Sequence, residues 1–161
     1  MSKRLPPALP DRLYDMMNGN RLSQQLNKVL LLITLDAAGF PYVAMLSFLE
    51  VIAVDRNNIR IAPAADSTSS ANLRRDGKAT LIVVEEEMAY YIQATANEIS
   101  PALPGFPAMA KMNLHIESIL EDKARDYEGA ARVSTGIRFE SPQMDAAYIE
   151  RGRQVLAALR Q

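Results

Sequence analysis

The sequence predicts a mainly β protein: a six-stranded antiparallel barrel with a helix at each end and one short helix between two of the strands. Three observations predict it. Strand-length runs of Val, Ile, Leu and aromatic residues follow one another closely. Tight-turn signals, Asp36-Ala37-Ala38-Gly39 and Asp55-Arg56-Asn57-Asn58, separate them. No β-α-β unit repeats, so neighbouring strands pair as hairpins rather than through crossover helices.

Taken in order, the basic and Pro-rich residues 1–9 are expected to form a flexible arm. Asp11 is an N-cap candidate for a short helix through Leu13, Met16 and Met17 that stops at Gly19. Residues 27–35 read as a buried strand, residues 42–54 as a second and residues 59–62 as a third. Residues 69–75 make a brief helix closed by Asp76-Gly77. Residues 78–85 form the next strand, Glu85-Glu86-Glu87 a solvated turn, and residues 88–99 another strand. Pro101, Pro104, Gly105 and Pro107 mark a loop. Lys111 to Glu117 alternates polar and apolar, the pattern of a strand with one wet face. Residues 121–131 are expected to be partly helical. Ser141-Pro142 signals the start of a C-terminal helix over 142–160, with Met144, Tyr148, Val155 and Leu159 at helical spacing. No repeat or second domain emerges, so residues 1–161 read as one domain.

Composition narrows the function. The 161 residues are 48% apolar, enough for a real core. A net charge of −1 argues against nucleic acid and acidic membranes as partners. The absence of cysteine excludes disulfides, thiolate metal sites and a cysteine nucleophile. No apolar run matches a signal peptide or a membrane span, so a soluble, cytoplasmic protein is expected. His115 is the only histidine and falls on the polar face of its strand. A zinc site needs three or four ligands, and no cluster supplies them, so no metal is expected. Ser67 and Asp66 lie in a helix-capping context without a nucleophile elbow, which disfavours a Ser-His-Asp hydrolase. Tyr90 and Tyr91 must face opposite sides of a strand. Met16, Met17, Met109 and Met112 read as packing. No residue reads as a catalytic acid, base or nucleophile.

The stretch most informative for function is Asp66-Ser67-Thr68-Ser69-Ser70-Ala71-Asn72-Leu73, at a strand-to-helix junction. Hydroxyls and the free N–H groups of a helix start converge there and suit an anion. The same residues also suit a plain N-cap and turn.

Three segments carry a family likeness. Gly39-Phe40-Pro41-Tyr42-Val43-Ala44-Met45-Leu46-Ser47 resembles the second strand of the pyridoxamine 5′-phosphate oxidase-like, FMN-binding split-barrel proteins. Residues 67–81 resemble their phosphate loop, short helix and next strand, and Tyr90-Tyr91-Ile92-Gln93-Ala94-Thr95-Ala96 resembles the strand after that. The resemblance covers roughly residues 10 to 100. It implies a split β-barrel homodimer with FMN in grooves between subunits, serving a small-molecule substrate or electron donor. Carried onto this chain, it implies cofactor contacts from Val43, Ala44, Met45 and Ser47 along the ring, and from Ser67, Thr68, Ser69 and Asn72 around the phosphate. Oxidases of this type carry basic residues where Thr68, Ser69 and Ser47 stand here. FMN is then expected to bind more weakly, or to recruit Arg60, Arg74, Arg75 or a partner-subunit cation; Arg138 suits equally a reach across the dimer to the phosphate and a surface ion pair, and oxidation of pyridoxamine phosphate itself is not expected. The implied function is a flavin-dependent oxidoreductase. The alternative is a non-catalytic split-barrel binder of flavin, deazaflavin or haem.

Overall fold

Antiparallel pairing runs from one end of the chain to the other. The computed structural model describes residues 2–123, 132–140 and 144–161. The elements in order are β1 (Lys3–Leu5), α1 (Asp11–Met17), β2 (Val29–Leu35), β3 (Pro41–Ser47), β4 (Val51–Ala53), β5 (Asn58–Ile61), α2 (Thr68–Asp76), β6 (Lys78–Glu85), β7 (Met88–Ser100), β8 (Lys111–Lys123) and α3 (Ala146–Arg160). The strands make one eight-stranded curled sheet in the order β3-β2-β6-β7-β8-β5-β4, with β1 also on β8. This is the expected mainly β split barrel with flanking helices.

Period-two alternation sorts the side chains into two faces. Leu30, Leu32, Leu81, Val83 and Ile92 point inward and are buried. Each such side chain contributes about 1.5–3 kcal/mol on burial. On the outer face the register aligns Met45, Leu31, Ile82, Tyr91 and Leu120 in one row, and Val43, Ile33, Thr80 and Gln93 in the next. The long pair β7–β8 runs from Met88↔Lys123 to Ser100↔Lys111, with a register shift between Gln93 and Ala94 that bends the sheet. The other edge of β8 carries β5 at its start and β1 further along.

The helices close the ends of the barrel. Helix α1 buries Leu13 and Met17, and α3 buries Val155, Leu156, Ala158 and Leu159. The last turn of α3 exposes carbonyls that need donors. Arg60 Nη1 donates to the Leu159 and Arg160 carbonyls at 2.7 and 2.9 Å, and Lys111 Nζ donates to the Ala158 carbonyl at 3.3 Å. Gly152 faces Leu49 so closely that an ideal Cβ would stand 2.5 Å from Leu49 Cδ2.

Several sequence expectations change. Two strands beyond the expected six join the sheet. Residues 1–9 are not a loose arm: Lys3–Leu5 pair with β8, and Leu9 is buried. The expected strand over 42–54 is two strands, because a turn at Phe48 to Glu50, closed by Glu50 N–H to the Ser47 carbonyl at 3.3 Å, breaks it. Asp11 is the first residue of α1 rather than its cap, which is Pro10, and Asp11 pairs instead with Arg56 at 2.8 Å. Glu85 is no solvated turn residue: it ends β6 buried and ion-paired with Lys28 at 3.0 Å. Glu121 to Lys123 belong to β8, and the rest of the segment 121–131 lies outside the described residues. So does Ser141-Pro142. Helix α3 starts at Ala146, capped by Asp145 Oδ1 accepting from the Tyr148 N–H at 2.8 Å.

Gly152→Ala tests the closest of these packings. It is expected to lower stability by about 1–3 kcal/mol in urea unfolding, through overpacking against Leu49. A gain in stability would show that helix propensity outweighs the contact.

Candidate functional site

Helix α2 starts where the resemblance puts a phosphate. Ser67 is its N-cap, with Oγ accepting from the Ser70 N–H at 3.2 Å and donating to the Ala64 carbonyl at 2.8 Å. Ser70 Oγ donates to the same carbonyl at 2.6 Å. The first helical hydrogen bond runs from Ala71 N–H to the Ser67 carbonyl at 3.0 Å. The main-chain N–H groups of Thr68 and Ser69 precede it and point out of the helix start. Thr68 is exposed and Ser69 is buried. The N-cap reading therefore holds for Ser67, and the donors left for an anion are those of Thr68 and Ser69. Gly77 ends the helix in the left-handed region, with φ of 60°.

Asn72 sits one turn beyond Ser69 on the same face. It is buried, and its Nδ2 donates to Thr34 Oγ1, also buried, at 2.9 Å. Thr34 pairs with Tyr42 of β3. One hydrogen bond thus fixes α2 against β2, the strand that pairs with β3, and it gives Asn72 a structural role. Strand β3 is the end of the sheet path, so among the described residues its outer main-chain edge has no partner strand. Val43 and Met45 are 51% and 71% exposed on the outer face, and Ala44 points inward, half-buried. Ser47 ends the strand tied into the following turn. Its N–H donates to Glu50 Oε1 at 2.8 Å, and its Oγ accepts from the Leu49 N–H at 3.3 Å. Burial raises the Glu50 carboxyl above its ordinary 4.5, and the two Ser47 hydrogen bonds oppose that shift.

The cations expected near the phosphate each have partners already, and of them Arg74 reaches the loop before α2. Arg60 caps α3. Arg74 is ion-paired with Glu98 and donates to the Ala65 carbonyl at 2.8 Å. Arg75 pairs with Asp76 at 2.7 Å and donates to the Leu35 carbonyl. Arg138 donates to Asn27 Oδ1 at 3.1 Å. Among the described residues no group of three His, Cys, Asp or Glu side chains can hold a metal ion. His115 is exposed, with Nδ1 3.1 Å from Asn58 Oδ1. Tyr90 is buried and Tyr91 half-exposed on the opposite face.

The structure adds a feature the sequence reading missed. A groove of about 360 Å³ opens on the outer face across β2, β6 and β7. Ile33 and Leu35 supply apolar wall, and Lys78, Thr80, Gln93 and Thr95 supply polar groups. Glu117 closes one side, with Oε1 accepting from Thr95 Oγ1 at 2.9 Å. The alternation Lys78, Thr80, Ile82 put these residues on one face in the sequence, but only pairing with β7 sets Gln93 beside them.

No family model matches the chain. The uncharacterized protein YclD of Bacillus subtilis (strain 168) is 30% identical over 133 residues, covering 83% of this chain and 84% of YclD. This chain belongs to the YclD family. Solved structures extend the likeness to the fold. A candidate pyridoxamine 5′-phosphate oxidase from Lactobacillus delbrueckii superposes with a TM-score of 0.57 at 22% identity, over 73% of this chain and 98% of that one. An F420 reductase gives 0.53 at 10% identity, over 69% and 98%. An FMN-binding protein from Syntrophomonas wolfei gives 0.50 at 14% identity, over 71% and 88%. The YclD-family fold is therefore that of the pyridoxamine 5′-phosphate oxidase-like split barrels.

Two outcomes test the local geometry. Asn72→Ala leaves the buried Thr34 hydroxyl unpaired and is expected to cost about 1–3 kcal/mol in chemical unfolding; no loss would mean the tether does not hold α2. The raised Glu50 pKa makes the folded state prefer the protonated form. That contribution is present below the ordinary 4.5 and is lost as pH rises through the folded value. Glu50→Gln keeps an acceptor for Ser47, so thermal melts should show it gaining on the wild type as pH rises above 4.5. Parallel curves would refute the assignment.

Proposed function

We propose that this chain is a homodimeric flavoprotein that binds FMN in its split barrel and transfers hydride or electrons between small molecules. The observations that carry the reading are the outer edge of β3, which has no partner strand among the described residues, and the start of α2, whose helix the Asn72–Thr34 hydrogen bond holds against β2, the strand next to β3. The main-chain edge of Val43, Ala44 and Met45 can hydrogen-bond the rim of a flat heterocycle without any particular side chain. The N–H groups of Thr68 and Ser69 suit a phosphate at the positive end of the helix dipole. Ser67 shapes that loop, and Asn72 ties its helix to β2. These residues fit FMN in donors but lack a cation, so binding through one protomer alone is expected to be weak. When bound, the flavin would supply the redox chemistry, and the protein would supply binding, orientation and access. Ser47 closes the far end of the strand through its turn.

The exposed apolar residues support the dimer. Phe40, Val43 and Met45 are 69%, 51% and 71% exposed at the sheet edge, next to the apolar outer rows of β2 and β6. An apolar surface of this kind is what a second copy covers. The likeness to an F420 reductase favours deazaflavin as the second ligand to try.

The test is the visible absorption spectrum of the purified protein after FMN is added and the excess removed, followed by anaerobic addition of a reduced nicotinamide. A retained flavin that is bleached and reoxidised over many cycles is the expected result. A retained flavin that never turns over would instead support a binding protein. Thr68→Glu, an exposed change that suits a helix start, is expected to weaken FMN binding at least tenfold by repelling the phosphate. Unchanged binding would move the phosphate away from α2.

A further inference from the structure

We propose that the cavity between the β3–β4 turn and helix α3 binds a small α-amino acid, with its ammonium group on Glu50 and its carboxylate on Arg151. This site lies outside the flavin reading and does not rest on it. The cavity is about 90 Å³ and is lined by Ser47 and Glu50 of the turn, by Met109, and by Tyr148 and Arg151 of α3.

Local structure brings the two charges to one place. Gly152 has no side chain, so α3 comes down onto Leu49, where a Cβ would stand 2.5 Å from Leu49 Cδ2. Tyr148 and Arg151, one turn apart on the helix, are carried to the same cavity as the turn residues. The groups that hold Glu50 are uncharged. Its Oε1 accepts from the Ser47 N–H at 2.8 Å, and its main-chain carbonyl accepts from the Ala62 N–H at 2.9 Å. It has no ion pair among the described residues, and burial pushes its carboxyl above the ordinary 4.5. Arg151 is unmatched too. Among the described residues it has no hydrogen bond or ion pair, and its guanidinium lies over the Phe106 ring at 5.5 Å.

A carboxylate taken out of water without a counter-charge is costly. A simple cation would relieve Glu50 but be repelled by Arg151, and a simple anion would meet the converse. A zwitterion satisfies both, and the forked guanidinium suits a carboxylate in particular. The volume holds about six water-sized groups, which matches glycine or alanine. Tyr148 and Met109 offer apolar contact to a methyl group.

The experiment is isothermal titration of the purified protein with glycine and with L-alanine, against methylammonium and acetate, which each carry one half of the zwitterion. Glycine or alanine is expected to bind once per chain, and each half-ligand at least tenfold more weakly. Glu50→Gln and Arg151→Gln should each raise the amino-acid dissociation constant tenfold or more, with circular dichroism reporting that the variants stay folded. Should Glu50→Gln fail to fold, Arg151→Gln, on an exposed position, decides the matter. No saturable heat from either amino acid overturns the proposal. So does methylammonium or acetate binding as tightly as glycine, or amino-acid binding unchanged by Arg151→Gln. FMN titration runs beside these. Amino-acid binding without FMN binding upholds this site and removes the flavin function, and FMN binding without amino-acid binding does the reverse.

Discussion

The pairing of β7 with β8 is the constraint on which the rest of the fold depends. Two thirteen-residue strands run together over nearly their whole length, and the shift at Gln93/Ala94 bends them. The β6–β2–β3 half of the sheet hangs from β7, and the β5–β4 half hangs from β8, with β1 laid along β8 as well. Neither half has enough apolar partners to stand alone as a hairpin, and together they enclose Leu32, Ile59, Ile61, Leu81, Ile92 and Leu114. The open edge of β3 follows from the same arrangement. A sheet that runs from β3 to β4 and curls without closing leaves the outer edges of both end strands without a partner among the described residues, and β3 is the one next to the strand that α2 packs on.

The candidate site is accordingly made of main chain more than of side chains. Its hydroxyls are largely spent on local structure: Ser67 and Ser70 share the Ala64 carbonyl, Thr34 takes Asn72, and Ser47 serves its turn. What remains is a helix start, a strand edge and an outer groove with a lysine that has no partner among the described residues. This is chemistry suited to holding a cofactor that brings its own reactivity.

Much of the fold was legible because it is local. Alternation at Lys111 to Glu117, the turn residues at Asp36 to Gly39, and the Ser67 cap with Gly77 at the other end of α2 each express a short-range rule, and each is found in place. The misses are long-range. Lys3–Leu5 look like tail until β8 offers them an edge. Glu85 looks solvated until Lys28, 57 positions away, turns towards it. Asn72 reads equally as ligand or brace, and its bracing partner, Thr34, lies 38 positions away where no local rule could point to it.

The sequence by itself determined the strand and helix alphabet, the antiparallel class, the lack of cysteine chemistry and the position of a helix start suited to an anion. These depend on backbone propensity, side-chain period and residue type, which a neighbour in space does not alter. Only the tertiary structure decided which strand is left with a free edge, which arginines are engaged, and that Lys78, Thr80 and Gln93 share one groove. Those facts depend on register between segments far apart in the chain, and a one-residue slip in any pairing would have turned every one of those side chains to the other face.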